Sequence, residues 1–92
     1  MAKWLESGRR RDCCYVLARE GAVTGQELKT ALEAHYDQHL EPSSFYATLD
    51  RLETTGHVTA TTEGVHDSYE LTDGGRRRLE AHHAWTSACL EE

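Results

Sequence analysis

The residues able to do chemistry fall into a few groups along the 92-residue chain. Arg9-Arg10-Arg11 and Arg76-Arg77-Arg78 are cationic triplets. Ser43, Ser44, Tyr46, Ala47, Thr48, Asp50 and Arg51 crowd hydroxyls, methyls and both signs of charge into one short stretch. His82, His83 and Cys89 are possible metal ligands, but His82 and Cys89 lie two helical turns apart, too far to share one tetrahedral ion without further residues. With no C-x-x-C pair either, no metal and no other cofactor is expected. There is no nucleophile elbow and no phosphate loop, so an enzyme is not expected. What remains is polar recognition of a surface, with nucleic acid as the first candidate.

The cysteines add little. Three is an odd count, and a bridge between the neighbours Cys13 and Cys14 would be strained. Cys14, close in sequence to Arg10 and Arg11, is a candidate redox thiol; the competing reading is a buried core cysteine.

Sixteen acidic residues stand against ten basic ones, for a formal charge of −6. Only Lys3 and Lys29 among the bases are lysine. This acidic, arginine-over-lysine balance fits a halophilic source, against the plainer reading of an ordinary acidic bacterial protein. It also opposes DNA, except that at ~1 M salt the Debye length is only ~3 Å and net charge is scarcely felt. No apolar run approaches the ~20 residues needed to span a bilayer. The N-terminal MAKWLESGRRR lacks an apolar stretch of the secretory kind. A cytoplasmic protein is the expectation.

The elements that must position these residues follow from periodicity. Cys13, Val16 and Leu17 mark a helix from about Arg9 to Arg19, stopped by Gly21. Thr24-Gly25-Gln26-Glu27 is a capping box opening a second helix, with Leu28, Ala31, Leu32 and His35 as its inner stripe, to near Asp37. Residues 38–42 read as an extended link, because the residue before Pro42 avoids the α region. Pro42 or Ser43 then starts a third helix, through Thr55, that buries Phe45, Leu49 and Leu52. From His57 the period changes to two. Strands over 57–62 and 68–72, with a turn over 63–67, make a hairpin. Thr72 or Asp73 caps a last helix.

The order helix, helix, helix, hairpin, helix predicts a mainly α fold with a small β-hairpin wing: a winged helix-turn-helix followed by a C-terminal helix. The whole chain, 1–92, reads as one domain, with its core over 8–72 and the last helix over 73–92.

The stretch from Phe45 to Val58, with Tyr46, Leu49, Arg51-Leu52-Glu53 and Gly56 leading into the first strand, resembles the PadR-like winged-helix transcription regulators. Tyr69-Glu70-Leu71-Thr72-Asp73-Gly74-Gly75 is similar to that family's second wing strand and its junction with the last helix. With helix 2 the match covers about two thirds of the chain, and the composition suggests a haloarchaeal member. The resemblance implies a homodimeric DNA-binding repressor or activator, with a C-terminal dimerisation helix and with a stress response as one possible setting. Two departures stand out. The C-terminal part is one short helix, and the third helix is not basic, since Glu41, Asp50 and Glu53 outnumber Arg51.

In that frame helix 3, residues 43–55, enters the major groove and the wing, 57–72, lies on the adjacent backbone or minor groove. Ser43, Ser44 and the helix N-terminal amides can take a phosphate. Tyr46 can reach a phosphate or sugar, or else pack on the wing. Ala47 and Thr48 can touch a thymine methyl, Asp50 can accept from cytosine, and Arg51 can reach guanine or pair with its acidic neighbours. Gln26 and Lys29 are candidate backbone contacts, His66 a wing-tip contact, and Arg9, Arg10 and Arg11 candidate phosphate partners. Trp4, Leu5, Leu79, Ala81, His82, Trp85, Ala88 and Cys89 are the expected dimer face; the competing reading packs helix 4 on helix 1. The expected partners are double-stranded DNA, at a pseudo-palindromic site, and a second copy of the chain. The rival function is a winged helix used only for protein–protein contact.

Overall fold

A computed structural model describes residues 8–91. In chain order the elements are α1 (Gly8–Glu20), β1 (Val23–Thr24), α2 (Gly25–Tyr36), α3 (Pro42–Thr54), β2 (Val58–Glu63), β3 (His66–Leu71) and α4 (Asp73–Glu91). The expected helices form within a residue or two of their sequence boundaries. Trp4 and Leu5 lie outside the described residues.

Local chemistry accounts for the helix ends. The Gly21 amide returns to the Leu17 carbonyl at 2.9 Å and closes α1. The capping box at Thr24 is fully made: the Glu27 amide donates to Thr24 Oγ1 at 3.1 Å, and the Thr24 amide donates to Glu27 Oε1 at 2.9 Å. Asp37, with φ of 53°, ends α2. Pro42 occupies the first turn of α3, where its missing amide costs nothing. Thr72 Oγ1 accepts the Gly75 amide at 2.9 Å and starts α4.

The core is one cluster. Cys13, Cys14 and Leu17 of α1, Leu28 and Leu32 of α2, Leu40 of the link and Phe45, Leu49 and Leu52 of α3 meet Val58, Tyr69 and Leu79. His35, expected on the inner stripe of α2, is exposed, and Lys29 is buried in its stead. Gly75 lets α4 cross the chain at the exit of α3: a Cβ there would sit 2.1 Å from the His57 carbonyl oxygen.

The wing differs from the expected hairpin in two ways. It has three antiparallel strands in the order β1-β3-β2, because Val23 and Thr24 pair with Tyr69 and Ser68. The capping threonine thus also anchors the wing to the root of α2. In addition, Glu63 pairs with His66, so the turn is only Gly64–Val65 rather than residues 63–67. His66 and Asp67 are strand residues, tied across the ladder by a 2.8 Å bond from Thr62 Oγ1 to Asp67 Oδ1. The result is mainly helical with a small three-stranded wing: a winged helix-turn-helix with a long C-terminal helix.

Candidate nucleic-acid interface

One face of α3 is wholly inside and the other wholly available. Phe45, Leu49 and Leu52 are fully buried, while Ser43, Ser44, Ala47, Asp50 and Arg51 are exposed. Thr48 is half-buried and spends its hydroxyl on the Ser44 carbonyl at 3.2 Å. No ion pair to Arg51 forms among the described residues, so the competing reading, a pair with Asp50 or Glu53, is not made.

The start of α3 is already occupied. Glu41 caps it, its carboxylate accepting the Ser44 amide at 2.8 Å and the Ser43 hydroxyl at 2.9 and 2.7 Å. Those bonds, the Ser43 hydroxyl first, hold the Glu41 carboxyl below its ordinary range. A phosphate approaching Ser43 and Ser44 therefore meets a carboxylate before it meets free amides. From sequence Glu41 reads as one more acid; its place directly before a proline at the first helical position is the signal for a cap. The same end also carries a cation, since Arg9 Nη1 donates to Ser44 Oγ at 3.1 Å. Arg10 and Arg11 follow on the first turn of α1, half-buried.

A notch of about 230 Å³ separates α3 from the wing and the root of α2. Gln26, Tyr46, Val65 and His66 are on its walls. Tyr46 lies edge-on to Phe45, with ring centroids 5.2 Å apart, and is seated against Gly25. A Cβ at Gly25 would come within 2.7 Å of that ring. Tyr46 keeps 37 % of its surface exposed, so it is both a packed ring and an available phenol. Gln26 is exposed and bonds Thr30 Oγ1 at 3.2 Å. The exposed wing tip is Val65, not His66. His66 instead helps to hold the Glu27 carboxyl below its ordinary range, behind the larger effect of the hydrogen bonds from Thr24. Burial pushes the Tyr69 phenol up, and the nearby carboxylates of Asp67, Asp50 and Glu53 push it further. Acidity thus concentrates between α3 and the wing, and basicity at the α1–α3 corner.

Lys29 does not reach this face. It is 6 % exposed, with its ammonium 2.9 Å from Glu33 Oε2. Its expected role as a DNA-backbone contact is overturned, because the side chain is buried and its ammonium is held by Glu33, which also takes the Leu40 amide. The His35–His39 spacing, overlooked at the sequence level, is that of a helical ligand pair, but α2 ends at Tyr36 and His39 turns to Glu33 at 3.1 Å. Cys13 and Cys14 are fully buried, and burial pushes both thiols up to about 12. Such thiols are not poised to sense oxidants.

On α4, Leu79 belongs to the chain's own core at 4 % exposure and leaves the expected dimer face. Below the exposed half of the helix, His83 lies edge-on to Tyr15 of α1 at 6.2 Å. Ala81, Trp85, Ala88 and Cys89 stay exposed at helical spacing, with Trp85 at 66 %; His82 is half-buried beside Trp85 and bonded to Thr86. No helix among the described residues is long and apolar enough to cross a membrane.

Comparison with known proteins agrees with this geometry. The model of the transcriptional regulator PadR-like family matches residues 14–81. No curated protein matches the chain by sequence. Among solved structures, H. salinarum RosR superimposes with a TM-score of 0.85 at 25 % identity, over 89 % of this chain and 74 % of RosR. A homodimeric winged helix-turn-helix DNA-binding domain from Mycobacterium bovis matches with a TM-score of 0.78 at 23 % identity, over 92 % of this chain and 73 % of that one. A MarR variant from E. coli, complexed with operator DNA, matches with a TM-score of 0.74 at 21 % identity, over 85 % and 54 %. The last two likenesses bear on the fold alone. With residues 14–81, about three quarters of its length, inside the family pattern, the chain belongs to the PadR-like transcriptional regulators, a DNA-binding family without enzymatic activity.

Proposed function

We propose that the chain acts as a homodimer on a pseudo-palindromic duplex, each copy laying the start of α3 in the major groove. The single observation that carries this is the Arg9–Ser44 contact at 3.1 Å. It places a guanidinium beside the exposed hydroxyls at the head of a helix whose other face is fully buried. Ser43, Ser44 and Arg9 would take phosphate once Glu41 yields. Ala47, Asp50 and Arg51 would meet base edges. Tyr46, Gln26 and the wing around Val65 and His66 would lie along the adjacent backbone or minor groove. Ala81, Trp85, Ala88 and Cys89 of α4, with His82 at the margin, would form the two-fold contact, placing the two α3 helices about one duplex turn, ~34 Å, apart.

The test is selection from a random-sequence duplex pool, at low and at molar salt, with oligomeric state measured by sedimentation. The expected result is an inverted repeat bound by a dimer. A rival reading, docking to a basic protein partner, draws on Glu41, Asp50 and Glu53, all exposed on α3 or at its cap. Failure to enrich any duplex at either salt would favour that rival.

A further inference from the structure

Between the end of α2 and the start of α3 lie only a few residues, and one side chain fastens them. Glu33 Oε2 accepts the Leu40 amide at 2.8 Å and the Lys29 ammonium at 2.9 Å, and His39 Nδ1 lies 3.1 Å away. The Glu33 carbonyl also takes the amides of Asp37 and, at 3.2 Å, Gln38. Lys29 and Leu40 are both buried. We infer that Glu33, held in place by Lys29, is the positioning residue that sets the angle of α3 against α2, and with it the register of Ala47, Asp50 and Arg51 on DNA. This rests on the proposed role of α3 as the recognition helix.

The reasoning is geometric. Losing the carboxylate leaves the Leu40 amide and a buried ammonium without this partner, and the link relieves both by opening toward water. A tilt of about 10° at the start of α3 displaces Arg51, about 14 Å along the helix at roughly 1.5 Å per residue, by roughly 2 Å. That is enough to break a base contact while leaving phosphate attraction intact. Lys29, read from sequence as a DNA contact, thus acts through Glu33.

Two changes separate positioning from charge. Glu33→Asp keeps the charge but is one methylene too short to reach Leu40. Lys29→Met combined with Glu33→Gln removes both charges yet keeps an oxygen for the Leu40 amide. The probes are the duplex pool that the wild type enriches and the same pool unselected. Each variant is first checked by thermal melting and assayed below its transition. Glu33→Asp is expected to lose the worth of about one base contact, roughly tenfold, in preference for the enriched pool, with unselected binding little changed. The double variant is expected to keep most of its preference and an unaltered salt slope. Full preference in Glu33→Asp would overturn the inference. So would a fall of about 0.9 in the salt slope of the double variant, which would make Lys29 a phosphate contact after all. A wild type that enriches no duplex defeats the reading of α3 itself, a result distinct from either.

Discussion

Arg78 Nη1 lies 3.2 Å from Nε2 of His57, and the opposite ring nitrogen, Nδ1, lies 2.7 Å from Thr55 Oγ1. The imidazole is 2 % exposed and joins the exit of α3 to the first turns of α4. Thr55 Oγ1 spends its proton on the carbonyls of Arg51 and Leu52, and a guanidinium can only donate. The ring therefore accepts at Nε2 and donates at Nδ1, which is the neutral form.

That geometry sets a pH dependence. Burial, and then the Arg78 charge, lower the His57 pKa below its ordinary value. Above about pH 6.5, the ordinary histidine value, both folded and unfolded chains hold the ring neutral, so nothing is lost. As pH falls below it the unfolded chain takes up the proton first, and stability declines until the folded pKa is passed. Urea midpoints from pH 8 down to 5 should fall in the wild type and fall less in His57→Gln. Parallel curves for the two proteins would remove His57 as the cause.

Gly75 and Gly74 should separate sharply despite being neighbours. A methyl at Gly75 meets the His57 carbonyl oxygen at 2.1 Å, a collision with backbone that cannot turn aside. Gly75→Ala is expected to cost about 2–3 kcal/mol as overpacking. At Gly74 the nearest atom is 3.9 Å away. Gly74→Ala is expected to be neutral or to add up to about 1 kcal/mol, by helix propensity. Chemical denaturation of the two variants checks both signs.

Glu41→Gln should tighten DNA binding at low salt. The glutamine oxygen can still accept the Ser44 amide, so the cap survives while the charge facing the phosphates goes. Repulsion between unit charges is felt within about 10 Å at 0.1 M salt and about 3 Å at 1 M. Several-fold tighter binding to the enriched duplex near 0.1 M should therefore shrink toward parity near 1 M. Fluorescence anisotropy across that range measures it. Weaker binding by the variant at every salt would mean that Glu41 contacts the DNA directly.

The parts of this molecule that were legible from sequence are those settled within a few residues. Thr24 and Glu27 spell the capping box by themselves, and Phe45, Leu49 and Leu52 declare their face by spacing alone. What escaped depended on how neighbouring elements pair and pack, which residue type alone does not reveal. Val23 and Thr24 are too short a strand to show a period, and pair only because β3 passes beside them. Lys29 looks like surface because lysine is rarely buried, yet it is buried with its ammonium on Glu33. His66 was placed in a turn because Glu63-Gly64-Val65-His66-Asp67 is polar and glycine-bearing; strand pairing pulled both of its last residues into β3. On α4, Leu79 and Trp85 are alike in type, yet Leu79 is buried in the chain's own core and Trp85 is left exposed.

Trp85 carries the prediction on assembly. It is 66 % exposed on a helix whose last buried residue is Leu79, and Ala81 and Ala88 flank it one turn to either side with side chains small enough for a second helix to approach. Because its exposed surface supports nothing within its own chain, Trp85→Ala should leave the monomer's fold and near-random duplex affinity largely intact. A buried aromatic anchor is worth about 2 kcal/mol or more at an interface, and a two-fold contact uses it twice. Dimerisation should then weaken by roughly a thousandfold, and the enriched inverted repeat should be bound no better than a single half-site. Sedimentation equilibrium reads the first effect and anisotropy on whole and half sites the second. A Trp85→Ala protein that stays dimeric at micromolar concentration would move the two-fold contact off this face of α4.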